Sequence, residues 1–332
     1  MQYLVLLSYG REAEYRRALF AALSFWARYR GPQQAVRTLV FTDCPAFFEP
    51  YLAGLPVDYV PLEVEQRRAM QGPHHYVHRV KVAVLDEVQQ VYPGRSLLYC
   101  DSDTFFQSDP GPLLRWLAAG TAFMHQPEYT FEEAPGIYAS FDQAEYPRRF
   151  LELIAGCTFR VAGRARQLLR TQQAWNSGVL GLPATAAPLL PDVYALTDAF
   201  YAATGWFTAE QLAFSVALPL QFPLLRSDQY VFHYWGPRQK ELMDARLAHL
   251  LTATFAHLPL PARLAAVRPL TARWRRQLEL DRMREGALYA FGKGQLLTGA
   301  RYAAKALLQA PLDLSFPRQV LHTLRGGTAA QA

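Results

Sequence analysis

Along the chain, short unbroken apolar runs alternate with longer segments whose apolar residues recur every three or four positions. Leu4-Val5-Leu6-Leu7 is such a run, and Ser8-Tyr9-Gly10 ends it, so residues 3–7 read as a buried strand followed by a turn. Helical spacing follows over residues 14–28, then a second strand over 37–42 and a short third over Val57–Pro61. Across residues 76–91, Val77, Val80, Val84, Val88 and Val91 share helical spacing, and Tyr92-Pro93-Gly94 stops that helix before a strand beginning at Leu97. Strands that alternate with helices predict an α/β fold with a mixed, mainly parallel central sheet flanked by helices. Pro and Gly punctuation predicts loops at residues 127–136 and 181–191, and no internal repeat interrupts the pattern.

Composition adds size and compartment. The 332 residues are 51% apolar, enough for one large domain with an appendage or for two ordinary domains. The opening apolar run lacks a basic segment before it and is too short for a signal peptide or a membrane span. Cys44, Cys100 and Cys157 are odd in number and widely spaced, which argues against a disulfide framework or a thiolate zinc site and predicts a reducing cytoplasm.

Charge divides the chain. Of the net charge of +6, the segment from Pro261 onward carries 12 Lys/Arg against 4 Asp/Glu, leaving the remainder slightly acidic. A main domain over residues 1–260 and a basic, mostly helical C-terminal extension over 261–332 are therefore predicted, with the boundary near Pro259-Leu260-Pro261. A solvated basic face on a capping helix is the first reading of that extension, and peripheral contact with the inner face of a membrane the second. Nucleic acid is not an expected partner, because no recognised motif accompanies the charge.

The chemistry concentrates at Asp101-Ser102-Asp103, where two carboxylates interrupt an apolar run. Ionised Asp is costly to bury unless paired or bound to a metal, and residues i and i+2 of a strand point the same way. Hard oxygen ligands at that spacing suit Mn²⁺ or Mg²⁺. The pair falls at the carboxyl end of a predicted strand, the edge where open α/β sheets bind ligands. Three later segments extend the pattern. Trp175-Asn176-Ser177-Gly178 precedes an apolar strand and suits hydrogen bonding to a polyhydroxylated ligand. Thr208-Ala209-Glu210-Gln211 reads as a helix start, with Thr208 as its N-cap. His233-Tyr234-Trp235-Gly236-Pro237-Arg238-Gln239-Lys240 joins an imidazole to a turn and two cations.

In this order, the motifs resemble those of the GT-A-fold glycosyltransferases, most closely the retaining family 8 that includes glycogenin and bacterial lipopolysaccharide galactosyltransferases. The resemblance covers roughly the first 240 residues and implies transfer from a nucleotide-diphosphate sugar, a UDP-sugar first, to a glycan, lipid-linked or other hydroxyl acceptor. It implies metal ligands at Asp101, Asp103 and His233, and donor contacts at Ser8, Tyr9, Gly10, Arg79, Lys81, Ser102, Ser177, Gly178, Gly236, Arg238 and Lys240. Asn176, Glu210 and Gln211 are implied near the reacting sugar. Two departures stand out: Glu210 replaces the family's Asp, and Lys240 lies one residue beyond the Lys of the family's H-x-x-G-x-x-K, where this chain has Gln239. A nucleotidyltransferase would share the metal and a related fold, yet no Gly-rich phosphate loop follows the first strand. An inactive membrane- or partner-binding scaffold is the other alternative. Residues 128–149, rich in aromatics and acids, are expected to form part of an acceptor rim.

Overall fold

The structure is a computed structural model that describes residues 1–313 and 315–325. Its first part repeats strand and helix: β1 (Gln2–Ser8), α1 (Glu12–Arg28), β2 (Val36–Thr42), α2 (Pro45–Leu52), β3 (Val57–Pro61), α3 (Val64–Met70), α4 (Arg79–Val91) and β4 (Leu97–Cys100). Shorter elements follow: β5 (Thr104–Phe106), α5 (Gly111–Ala118), β6 (Ala122–Met124), β7 (Pro127–Thr130), α6 (Ala134–Ala139), α7 (Glu145–Gly156), β8 (Thr158–Val161), β9 (Arg164–Gln167), β10 (Gln173–Trp175) and β11 (Val179–Leu182). Then come α8 (Leu190–Thr204), α9 (Ala209–Ala217), β12 (Leu224–Arg226) and β13 (Val231–His233), and a helical end of α10 (Pro237–Leu250), α11 (Ala253–Ala256), α12 (Leu260–Gly292), α13 (Leu296–Gln309) and α14 (Ser315–Leu324).

Seven strands form the central sheet in the order β12-β6-β11-β4-β1-β2-β3. Its neighbours are parallel except for β11, which runs antiparallel between β4 and β6. The strands read as unbroken apolar runs because helices cover both faces. Side chains alternate between the two layers, so Leu4, Leu6, Leu98 and Cys100 face α1 and α12, whereas Tyr3, Val5, Leu97 and Tyr99 face α4, α8 and α9.

Three expectations are corrected by packing. The valine stripe of α4 is buried at Val80, Val84 and Val88 together with Val82 and Leu85, but Val77 and Val91 are exposed, because the helix starts only at Arg79 and is sandwiched between sheet and α8. The loop expected at 127–136 contains β7, whose bulged pairing with β10 has no clear period-two signal, and the start of α6. Gly181 and Leu182, also expected in a loop, lie within β11, where the Phe123 ring of β6 occupies the space a Cβ on Gly181 would need.

α12 begins at Leu260, and the core continues into it. Val267, Trp274 and Leu278 join the layer on the α1 face, with the Trp274 and Phe20 ring centroids 4.9 Å apart. Arg263 donates to the Pro50, Tyr51 and Ala53 carbonyls at the end of α2, satisfying groups that helix leaves open. Beyond, Ala287, Ala303, Ala306 and Phe316 form a separate small cluster among α12, α13 and α14. Among the described residues, no helix is long and apolar enough to cross a membrane.

Candidate functional site

β4 stops at Cys100 and the chain turns through Asp101, Ser102 and Asp103 into β5. The Asp101 amide donates to the Gly178 carbonyl (2.8 Å), tying this turn to the start of β11, and the Tyr99 hydroxyl donates to the Asp101 carboxylate (2.8 Å). β13 pairs antiparallel with β5 so that His233 stands opposite Thr104, which delivers its imidazole to Asp103. Asp101, Asp103 and His233 each offer a ligand atom, all within 4.8 Å of one another.

The donor set fits a divalent ion. His233 Nδ1 donates to Asn176 Oδ1 (2.9 Å), which leaves Nε2, 3.2 Å from Asp103, as the ring nitrogen that would turn to an ion in place of a proton. Gly178 makes room for the ring: a Cβ there would lie 2.2 Å from His233 Cε1. Gly178→Ala is expected to push the imidazole out of the cluster and weaken Mn²⁺ binding by about 10- to 100-fold, the range for lost support around a metal ligand. An Mn²⁺ titration followed by electron paramagnetic resonance measures this, and unchanged affinity would contradict the assigned role of His233.

Around the cluster the charges are paired. Burial works against the Asp103 carboxylate, but His233 and Lys240, whose Nζ is 2.8 Å away, hold its pKa well below the usual range. Lys81 is buried and reaches Asp101 (3.2 Å), Glu210 (3.0 Å) and the Ser177 hydroxyl and carbonyl (3.2 and 3.3 Å). Burial disfavours its ammonium, yet the Asp101 and Glu210 carboxylates more than offset this and raise its pKa. Glu210 also accepts from the Ser177 hydroxyl (2.7 Å) and the Tyr76 hydroxyl (3.2 Å), so both its oxygens are engaged. Desolvation pushes its pKa up, and Lys81 with its other donors brings it below the ordinary value. A second network joins Asn176 and Gln211 through Glu128, which accepts from both side-chain amides (2.9 and 3.0 Å).

Two clefts meet at this junction. The larger, about 600 Å³, is lined by Ser8, Tyr9, Gly10, Arg67, Gln71 and Ser102, and the smaller, about 330 Å³, by Glu128, Asn176, Ser177, Gly178, Glu210, Gln211 and His233. His78, Lys81, Asp101, Asp103 and Lys240 line both.

Three of the expected donor residues lie elsewhere. Arg79 turns to α8, where it grips Asp198 (2.6 and 3.1 Å) and covers the Tyr194 ring. Arg238 is on the outer side of α10, near Glu241 (3.3 Å) and Glu285 (3.9 Å). Gly236 serves as the N-cap of that helix. Adjacent helical positions are about 100° apart, so once α10 starts at Pro237, Lys240 faces the cleft, Gln239 is buried and Arg238 points away. Ser102 does line the larger cleft, and its hydroxyl donates to Glu14 (2.7 Å). Thr208 is the N-cap of α9 as expected, but its side chain makes no capping bond.

Sequence reading missed Arg67, which covers the Tyr9 ring at 4.5 Å, as well as Tyr76, His78 and the bridging role of Glu128. Of these, only Glu128 carried a signal, as the first residue of the expected acceptor rim.

No protein-family model matches the sequence, and no curated protein matches it. Solved structures do. The galactosyltransferase LgtC, in complex with donor and acceptor sugar analogues, is 14% identical and aligns over 78% of this chain and 98% of its own with a TM-score of 0.50. Mouse xyloside xylosyltransferase 1, in its apo form, is 13% identical over 68% of this chain and 84% of its own, with a TM-score of 0.44. A putative glucose-1-phosphate thymidylyltransferase from Bacillus anthracis, in complex with a sucrose, is 8% identical over 76% of this chain and 97% of its own, with a TM-score of 0.40. The likeness to LgtC shows the fold, which is GT-A, as the sequence motifs implied.

Proposed function

We propose that this chain is a glycosyltransferase that moves a sugar from a UDP-sugar to a hydroxyl of a glycan or lipid-linked acceptor, with retention at the anomeric carbon. Two clefts of unequal size share one wall built from Asp101, Asp103, Lys81 and Lys240. Such a wall suits a diphosphate, with the nucleoside in the larger cleft and the sugar in the smaller. Asp101, Asp103 and His233 would hold Mn²⁺ or Mg²⁺, which when bound supplies positive charge to the diphosphate as its bond to the sugar breaks.

The chain's own groups account for the rest. Lys240, at the junction, places an ammonium where the leaving diphosphate gains charge. Arg67 and Tyr9 offer a cation and an aromatic face to the nucleoside. In the transfer, the bond between acceptor oxygen and anomeric carbon forms and the bond from that carbon to the phosphate oxygen breaks. The electron pair goes to the diphosphate, and the acceptor's proton follows to one of its oxygens. Glu210 is a poor base for that proton, because Lys81, Ser177 and Tyr76 already engage it and its pKa is lowered. It serves instead to position Lys81 and Ser177, which supports retention over inversion. We place the reaction in the cytoplasm, where the exposed Leu297, Leu308 and Leu312 with Arg301 and Lys305 offer a surface for peripheral contact with the inner face of a membrane.

Glu128→Gln would keep one acceptor oxygen but turn an N–H toward the other of the two amides, Asn176 or Gln211, that the carboxylate accepts from. Sugar positioning is expected to suffer, with kcat falling about 100-fold and thermal stability nearly unchanged; steady-state kinetics with a melting curve checks both. The reading itself is tested by nucleotide release from UDP-, GDP-, CDP- and dTDP-sugars with Mn²⁺, Mg²⁺ or chelator, with the product anomer read by nuclear magnetic resonance. Metal-dependent UDP release and a retained anomer are expected. Pyrophosphate release from a nucleoside triphosphate and a sugar phosphate would instead identify a nucleotidyltransferase.

A further inference from the structure

Exposed aromatic rings are concentrated around one opening of this molecule. Among the described residues, the large aromatics left open to solvent are Phe141, Phe207, Trp235, Tyr289 and Tyr302. Phe207 and Trp235, 48% and 55% exposed, line the smaller cleft. Tyr138 lines it too, with its ring 6.3 Å from Phe207 and 6.5 Å from Phe141. From α12, the Tyr289 hydroxyl donates to the Ser140 carbonyl (2.9 Å), beside Phe141 in sequence. Only Tyr302 stands apart, packed over Gly286.

Large apolar groups left bare at the rim of a polar cleft mark a binding surface. The same cleft contains hydrogen-bonding groups: Glu128, Gln211 and the Thr208 hydroxyl. Rings next to such groups match a pyranose, whose C–H face rests on an aromatic face while its hydroxyl edge meets donors and acceptors. A lipid surface would favour a convex apolar face over a cleft walled by carboxylate and amide groups.

We infer that this rim is an acceptor site for an oligosaccharide of two or more sugar units. The inner sugar stacks on Trp235 and Phe207 at the mouth of the smaller cleft, with its reacting hydroxyl turned inward to the donor sugar positioned by Glu128 and Gln211. The next sugar stacks on Phe141 and Tyr289, which lie beyond the cleft lining, so α12 contributes to acceptor recognition. This assignment rests on the transferase reading for the direction in which the acceptor enters.

The test is direct binding of a panel of methyl monosaccharides and their di- and trisaccharides to immobilised protein, with the ratio of sugar transfer to donor hydrolysis measured on the same panel. Di- or trisaccharides are expected to bind about tenfold more tightly than the matching monosaccharides. Trp235→Ala should weaken all of them by about tenfold, and Trp235→Phe should restore most of the loss. Phe141→Ala combined with Tyr289→Ala should abolish only the advantage of the longer saccharides. Equal affinity for mono- and oligosaccharides, no saccharide binding, or Trp235-dependent binding to anionic phospholipid vesicles alone would overturn the assignment. Saccharide binding without sugar-nucleotide turnover would keep the aromatic site and remove the transferase reading, whereas turnover with binding indifferent to Trp235 would do the reverse.

Discussion

Asp103→Asn is expected to lower metal-dependent nucleotide release by about 10³-fold, the upper range for removing a preorganised charge-stabilising group from a buried site. One side chain carries three connections here. It offers an oxygen to the Asp101–His233 cluster that could hold an ion, it faces His233 Nε2 at 3.2 Å, and it holds Lys240 at 2.8 Å. Asn has nearly the same volume and cannot supply the charge, so the substitution separates chemistry from packing. Lys240 is partly exposed and can be rehydrated when released, which limits the structural cost. Turnover with a saturating UDP-sugar and Mn²⁺, alongside a circular dichroism spectrum, is the check. A loss of less than tenfold with an intact fold would mean that the D-x-D turn does not serve the diphosphate.

Lys81→Met is expected to destabilise the folded chain by about 3–5 kcal/mol, the cost of removing one partner from a buried charged network. Lys81 is the cation closest to both Asp101 and Glu210, and Glu210 is almost wholly buried. Its pH dependence identifies the cause. In the native chain, the raised Lys81 pKa gives a stabilisation that is complete below the unfolded value of 10.5 and is lost as pH rises through the folded value. The lowered Glu210 pKa gives one that is complete above the unfolded value of 4.5 and is lost as pH falls through the folded value. Without Lys81, burial dominates at Glu210 and its proton is held more tightly in the folded state. The deficit of the variant is therefore expected to be larger at pH 8 than at pH 5, as read by urea unfolding at each pH. A deficit independent of pH would assign Lys81 a packing role.

What could be read from the sequence was what is written locally. β1 and β4 are continuous apolar runs because both faces are covered, and the D-x-D turn, the Asn-Ser-Gly turn and His233 are short motifs whose spacing survives without knowledge of the fold. What could not be read depends on distant partners or on helical phase. Glu128 meets Asn176 and Gln211 only because β7 pairs with β10 beside α9. Arg79 and Lys81 are two residues apart on one helix, so they diverge by about 200°, and only the packing of α4 against the sheet decides which enters the site. The same phase argument separates Arg238 from Lys240. The aromatic opening joins positions 141, 207, 235 and 289, a set that no sequence window contains.

If nucleotide and metal share the wall formed by Asp101, Asp103 and Lys240, calorimetric titration of UDP will register both. Wild-type protein with Mn²⁺, wild-type protein with chelator, and Asp103→Asn with Mn²⁺ make up the comparison. UDP binding that is strong with Mn²⁺ and weakened by about 100-fold or more both by chelator and by the substitution is the expected result. UDP binding of equal strength in all three, or none in any, would contradict it.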